Sequence, residues 1–147
     1  MSRMRKENRD LLFAAGPTIF SNGVIQRWGV DCSNGWLGIL LDLVNKLESR
    51  QSTKSNKLVV LQIKEKFGTL RFYAENVTSQ DAMDIKNAES ASIHTCEECG
   101  KTGKLKNDGW MRTMCDPCFE EWVSIRNKQY DTPANEALKN FLGDYGK

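Results

Sequence analysis

A single histidine, three prolines and no long apolar run set the first limits on this chain of 147 residues. Histidine is the most frequent general acid or base. A zinc-containing His-Asn-His nuclease needs at least a second one, and His94 stands alone. No glycine-rich phosphate loop, Gly-x-Ser-x-Gly or paired-histidine metalloprotease motif occurs. The chain is therefore expected to be non-enzymatic, with no small-molecule substrate. No apolar run approaches the roughly 18 to 20 residues that cross a bilayer. The longest, Trp36 to Val44, is broken by Gly38 and Asp42. Leu11 to Ala15, after a basic N-terminus, is too short for a signal segment. No membrane partner is expected, and the reading is cytoplasmic. Charge of either sign is not dominant: 21 basic against 19 acidic side chains leave +2, which excludes a histone-like polycation. With 39% hydrophobic and 27% charged residues the composition suits a globular chain, one domain or a small domain with an appended module.

Five cysteines are present, and four of them form a pattern. Cys96-Glu97-Glu98-Cys99-Gly100 is followed by Cys115-Asp116-Pro117-Cys118. Two Cys-x-x-Cys pairs separated in this way are a structural zinc signature, because each knuckle places two thiolates at two corners of one tetrahedron. Gly100 supports the turn, since glycine takes positive φ without steric cost. Four thiolates leave no open position for water or substrate, so one structural zinc ion is expected on Cys96, Cys99, Cys115 and Cys118. In a reducing compartment such pairs read as ligands before disulfides. Cys32 reads as a buried thiol. His94 reads as an exposed or helix-capping residue rather than a fifth ligand.

Between the pairs, Lys104 to Lys106, Asn107-Asp108-Gly109 and Trp110 to Met114 read as strand, turn and strand. Asp116-Pro117 then resembles a helix start, with Phe119, Trp122, Val123 and Arg126 at helical spacing. Knuckle, hairpin and a final pair at a helix N-terminus is the order of a treble clef. A zinc ribbon would place the second pair in another knuckle.

The N-terminal part predicts irregular or short extended structure from Leu11 to Cys32, punctuated by Gly16-Pro17, Asn22-Gly23 and Gly29. A helix follows over about residues 35 to 50, with Asn34 or Ser33 as N-cap. Gln51 to Lys57 reads as an exposed loop. Leu58 to Ile63 and Leu70 to Tyr73 form a hairpin, with Val59, Leu61 and Ile63 sharing one face of the first strand and Leu70 and Phe72 one face of the second. Thr78 or Ser79 caps a helix over about residues 79 to 92 whose apolar positions are Ala82, Ile85, Ala88 and Ile93. Asp81 and Asp84 on that helix read as a solvated face. A short amphipathic helix is expected within 131–147, with Ala134, Leu138, Phe141, Leu142 and Tyr145 on one side.

The fold class that results is α+β: a helix-plus-hairpin unit (residues 1–93) fused to a treble-clef-like zinc module (94–130), with a C-terminal helix (131–147). Lys64, Lys66, Phe67, Arg71 and Tyr73 on one hairpin, with Lys104, Lys106 and Arg112 around Trp110 on the other, are the candidate partner-binding residues. Such a mixture stacks bases and holds phosphates. The competing reading places Phe67, Phe72 and Trp110 in the core. Nucleic acid is slightly favoured as the partner, with a host protein bound by an adaptor or inhibitor as the alternative.

Gly35-Trp36, the phrase Gln62 to Tyr73 (QIKEKFGTLRFY), Cys96-Glu97-Glu98-Cys99-Gly100 and Gly109 to Asp116 (GWMRTMCD) together resemble a family of small zinc-binding proteins of bacteriophages and bacterial genomes. The likeness covers about residues 33 to 118. It implies a phage or prophage accessory protein in the bacterial host cytoplasm, and it brings no assigned activity.

Overall fold

The computed structural model describes residues 3–21 and 23–130. The expected irregular stretch before Cys32 is largely helical. Helix α1 (Lys6–Ala15) and the single-turn helix α2 (Val24–Trp28) occupy it. Lys, Glu, Arg, Leu and Ala give α1 a strong intrinsic preference, but only Leu12 is buried on it, so its apolar period is faint. The core is centred on α3 (Leu37–Ser49), where Leu40, Leu43, Val44 and Leu47 recur at helical spacing and are all buried. A 3-10 turn, Asn34–Trp36, leads into it and buries Trp36 completely. Neither Ser33 nor Asn34 caps the helix through its side chain. Asn34 Oδ1 instead accepts from the Arg5 backbone N–H at 2.8 Å and from Asn8 Nδ2 at 2.9 Å, tying α1 to the turn.

The main sheet has the order β1-β2-β3, built from β1 (Val30–Asp31), β2 (Val59–Lys66) and β3 (Thr69–Glu75). β1 lies parallel to β2, and β2 pairs antiparallel with β3 to form the expected hairpin. One detail differs. The register shifts between Val60 and Gln62, so Val60 and Ile63 are the buried residues of β2 while Val59 and Leu61 are half-buried. A bulge adds one residue to one strand and exchanges the faces on either side of it, which strict alternation cannot register. Leu70 and Phe72 face the core as expected. In the polar segment before β2, Gln51 is buried: its Nε2 donates to Leu47 O at 2.7 Å and its Oε1 accepts from Leu58 N–H at 2.8 Å.

Helix α4 (Ser79–Ser92) opens on a capping box in which Thr78 and Asp81 each accept the other's backbone N–H, both at 3.1 Å. Its buried residues are Asp81, Ile85, Ala88 and Ser92; Ala82 and Ile93 face solvent. The solvated reading of Asp81 is thus corrected. Asp81 is fully buried, and Arg50 reaches it at 2.7 Å and Lys54 at 3.3 Å, while Arg50 also pairs with Asp84. Burial opposes ionisation of Asp81, yet the Thr78 backbone N–H, Arg50 and Lys54 outweigh it and hold the carboxyl below its ordinary range. A carboxyl depressed in the folded state stabilises at neutral pH, and that stability is lost as pH falls through the folded value. Acid unfolding below about pH 4 is therefore expected to draw on Asp81. The Asp81→Asn variant should lose about 2 to 3 kcal/mol at pH 7 and show a flatter acid limb; the cost is at the low end for a broken buried pair because Arg50 and Lys54 keep some solvent. Urea unfolding of both proteins across pH 3 to 7 measures this.

Beyond α4 come β4 (Lys104–Asn107) and β5 (Met111–Met114), an antiparallel pair, and α5 (Asp116–Tyr130). The architecture is thus a mixture of helices and small sheets, as expected. The chain divides into two compact units, Met1–Cys115 and Asp116–Lys147, and the hairpin between the cysteine pairs lies in the first. In the second unit, the Phe119 and Trp122 rings lie 6.0 Å apart on α5, with the Arg126 guanidinium 4.9 Å from the Trp122 ring. The expected helix of 131–147 lies outside the described residues. Among the described residues no helix is long and apolar enough to cross a membrane.

Candidate metal centre and aromatic surface

The four paired cysteines converge. The sulfurs of Cys96, Cys99, Cys115 and Cys118 all lie within 4.8 Å of one another, and those of Cys99 and Cys115 are 3.7 Å apart. A tetrahedral ion with metal–sulfur bonds of about 2.3 Å has edges of about 3.8 Å, so the spacing fits such an ion. None of the five cysteines is in a disulfide. In the first knuckle Gly100 takes φ +82 and its N–H donates to Cys96 O at 2.9 Å. Burial raises the Cys96 thiol pKa, whereas backbone N–H groups of Cys115, Cys99 and Glu98 directed at it act the other way. Such donors favour the thiolate that a metal requires. Cys32 is buried apart from this group, and burial pushes its thiol pKa far up, an inert setting. His94 is exposed at the end of α4.

The first knuckle is seated on the body by contacts the sequence did not announce. Gly35 N–H donates to Glu97 O at 2.6 Å, and Trp36 Nε1 donates to Thr95 O at 2.9 Å. The Glu97 side chain is buried: Oε2 accepts from Ser33 N–H at 2.9 Å and Oε1 from Arg112 Nη2 at 3.1 Å. Burial pushes the Glu97 carboxyl up to about 7, with Arg112 pulling the other way. This corrects one expectation. Arg112 is 1% exposed and fastens β5 to the knuckle, so it is no part of a surface offered to a polyanion. The missed signal was Gly35-Trp36, which stands beside the knuckle in space though about 60 residues away in sequence.

The remaining candidate residues divide between two faces. Cross-strand pairs share a face, so the register Lys64↔Arg71 and Gln62↔Tyr73 puts Lys64, Arg71 and Tyr73 on the side of the hairpin opposite Ile63 and Phe72. Lys64 Nζ stands 5.9 Å from the Tyr73 ring and Lys66 Nζ 5.6 Å from the Phe67 ring. Phe67 and Trp110 are 63% and 54% exposed, so the core reading fails for both and holds for Phe72. The two exposed rings line one groove of about 360 Å³ with Glu65, Gly109 and Met111. The hairpins meet through Thr113 Oγ1, which donates to Gly68 O at 2.7 Å. Lys104 and Lys106 are not brought to this groove: their partners in register are Met114 and Arg112, on the face of β4 and β5 opposite Leu105 and Thr113.

Phe67 carries backbone strain. Phe67 and Gly68 form a two-residue turn between Lys66 and Thr69 with φ of +53 and +81, the type I′ pattern that favours Asn-Gly. A left-handed conformation costs a residue with a Cβ about 1 to 2 kcal/mol. The Phe67→Asn variant should therefore gain about 1 kcal/mol of stability in chemical denaturation, because little of the ring is buried. A loss of stability would instead show the ring to be a packing element.

No family model, curated protein or solved structure matches the chain.

Proposed function

We propose that this protein is a non-enzymatic accessory protein, phage or prophage encoded, whose four-cysteine site holds one structural zinc ion and whose hairpin tips bind single-stranded nucleic acid. The observation that carries the reading is Phe67. A large apolar ring is kept exposed, at a strained turn position, facing Trp110 across one groove and overhung by Lys66. Strain retained at an exposed position is a mark of function. Aromatic rings stack bases of any sequence, and Lys64, Lys66 and Arg71 beside them supply phosphate contacts. Arg71 is half-buried and lies on the same side of the hairpin as Lys64 and Tyr73. The resemblance of the hairpin and cysteine phrases to those of small phage proteins is what supports the origin. Zinc is favoured over other metals by the all-thiolate donor set in tetrahedral spacing.

A protein partner is the second reading, favoured by Glu65 and Met111 in the same groove, which suit a basic or apolar side chain. Fluorescence anisotropy with a labelled single-stranded oligonucleotide at several salt concentrations separates the two. The nucleic-acid reading expects affinity that falls steeply with salt. Phe67→Ala and Trp110→Ala should each cost about 1 to 3 kcal/mol, and reversing Lys64, Lys66 and Arg71 to glutamate should abolish binding. A salt-insensitive complex with a protein, lost in Trp110→Ala and accompanied by no oligonucleotide binding, would favour the adaptor.

A further inference from the structure

A second concave site lies on α1, α2 and β1, and none of its lining residues belongs to the cysteine cluster or the hairpin tips. It is a polar cavity of about 180 Å³ lined by Arg3, Arg9, Arg27, Trp28, Gly29 and Asp31 among others. Three guanidiniums thus face one carboxylate. Among the described residues the ion pair of Asp31 is with Arg3, at 3.7 Å, where both side chains are well exposed. Arg9 and Arg27 pair with no carboxylate among the described residues, and Arg9 Nε is buried with no hydrogen-bond partner there. Gly29, at φ +71, turns the chain from α2 into β1 and presents bare backbone toward Arg9. Trp28 stands beside it, 66% exposed.

An unneutralised arginine pair in a concavity is a site for an anion, and the planar donor fork of guanidinium fits phosphate oxygens two at a time. The cavity is smaller than the roughly 300 to 1,000 Å³ of sites that enclose a whole drug-sized ligand, so it takes the anionic group alone. The neighbouring indole face then suits a planar ring attached to that group. We propose that this cavity is a nucleotide phosphate site, in which Arg9 and Arg27 hold the phosphate and Trp28 stacks the base. The nucleotide is either free or the 5′-phosphorylated end of a strand. The site does not depend on the hairpin surface, and its failure would leave that reading intact.

The test is calorimetric titration of the metal-loaded full chain with inorganic phosphate, with adenosine monophosphate, and with one octanucleotide in 5′-phosphorylated and unphosphorylated forms. Saturable binding of the nucleotide, at least about tenfold tighter than inorganic phosphate, is expected. Arg27→Gln, an exposed position that leaves folding intact, should weaken both ligands at least about tenfold. Trp28→Leu should remove the advantage of the nucleotide while sparing inorganic phosphate. Competition by the phosphorylated strand alone would identify a strand end as the source; nucleotide binding without that competition would identify a free nucleotide. Absence of saturable nucleotide binding at about 1 mM, or equal affinity in Arg9→Gln and Arg27→Gln, would overturn the proposal.

Discussion

Cys96→Ser is expected to abolish stoichiometric metal binding and to release the segment from about residue 94 to 115 from the body of the protein. Structural zinc sites of this kind contribute about 10 to 16 kcal/mol of apparent binding free energy, most of which is folding free energy. Little else holds this segment. Among the described residues the main hydrophobic cluster runs from Met4 to Ala88, and the knuckle and second hairpin add only Cys96 and Met114 as buried apolar residues outside it. What fastens the segment is polar: the Gly35 and Trp36 hydrogen bonds, the Ser33 N–H bond to the Glu97 carboxylate and the Thr113 bond to Gly68. These bonds require the knuckle to be already shaped, and the metal supplies that shape. In amide hydrogen exchange, residues 94–115 should lose protection in Cys96→Ser or in chelator while α3 and the main sheet keep theirs. Cys32→Ala, which alters a buried thiol outside the cluster, should retain full metal content. Unchanged protection of 94–115 in chelator would show the hydrogen bonds to be sufficient alone.

Gly35→Ala is expected to be nearly as damaging although it adds one methyl group. A Cβ at Gly35 would overlap the carbonyl oxygens of Cys96 and Glu97. Both are backbone atoms of the knuckle, so neither moves away without distorting it. The same displacement breaks the Gly35 N–H bond to Glu97 O. Overpacking commonly costs about 1 to 3 kcal/mol, and an unyielding neighbour with a lost hydrogen bond places this case at about 3 kcal/mol or above. Because the distorted atoms belong to the knuckle, metal affinity should fall with stability, by up to roughly a hundredfold for 3 kcal/mol. Gly38→Ala provides the contrast. It lies in α3 with open space around it, and replacing glycine in a helix should gain about 1 kcal/mol. Equal stability of the two variants would contradict the seating of the knuckle on the 33–36 turn.

Much of this architecture was legible because its signals are local. The period of Leu40, Leu43, Val44 and Leu47 marks α3, Thr78 with Asp81 marks the start of α4, and the two cysteine pairs mark the metal cluster. Where the reading failed, the deciding interaction joins residues distant in sequence or departs from a strict period. Helix α1 buries Leu12 alone, so no stripe announces it. The bulge at Leu61 exchanges the faces of β2 without any residue that demands it. Arg112 and Asp81 are charged, and their burial is explained only by partners, Glu97 in one case and Arg50 with Lys54 in the other. The exposure of Phe67 and Trp110 was beyond the sequence, because aromatic residues of a hairpin serve core and surface equally well.

The most direct measurement of the central claim is the mass of the intact chain under native conditions, compared with its mass after acid denaturation. One zinc ion per chain, lost on denaturation and lost likewise in Cys96→Ser, is the predicted result. A zinc-free chain, either fully reduced or lighter by two hydrogens for each disulfide, would contradict the assignment of Cys96, Cys99, Cys115 and Cys118 as one tetrahedral site.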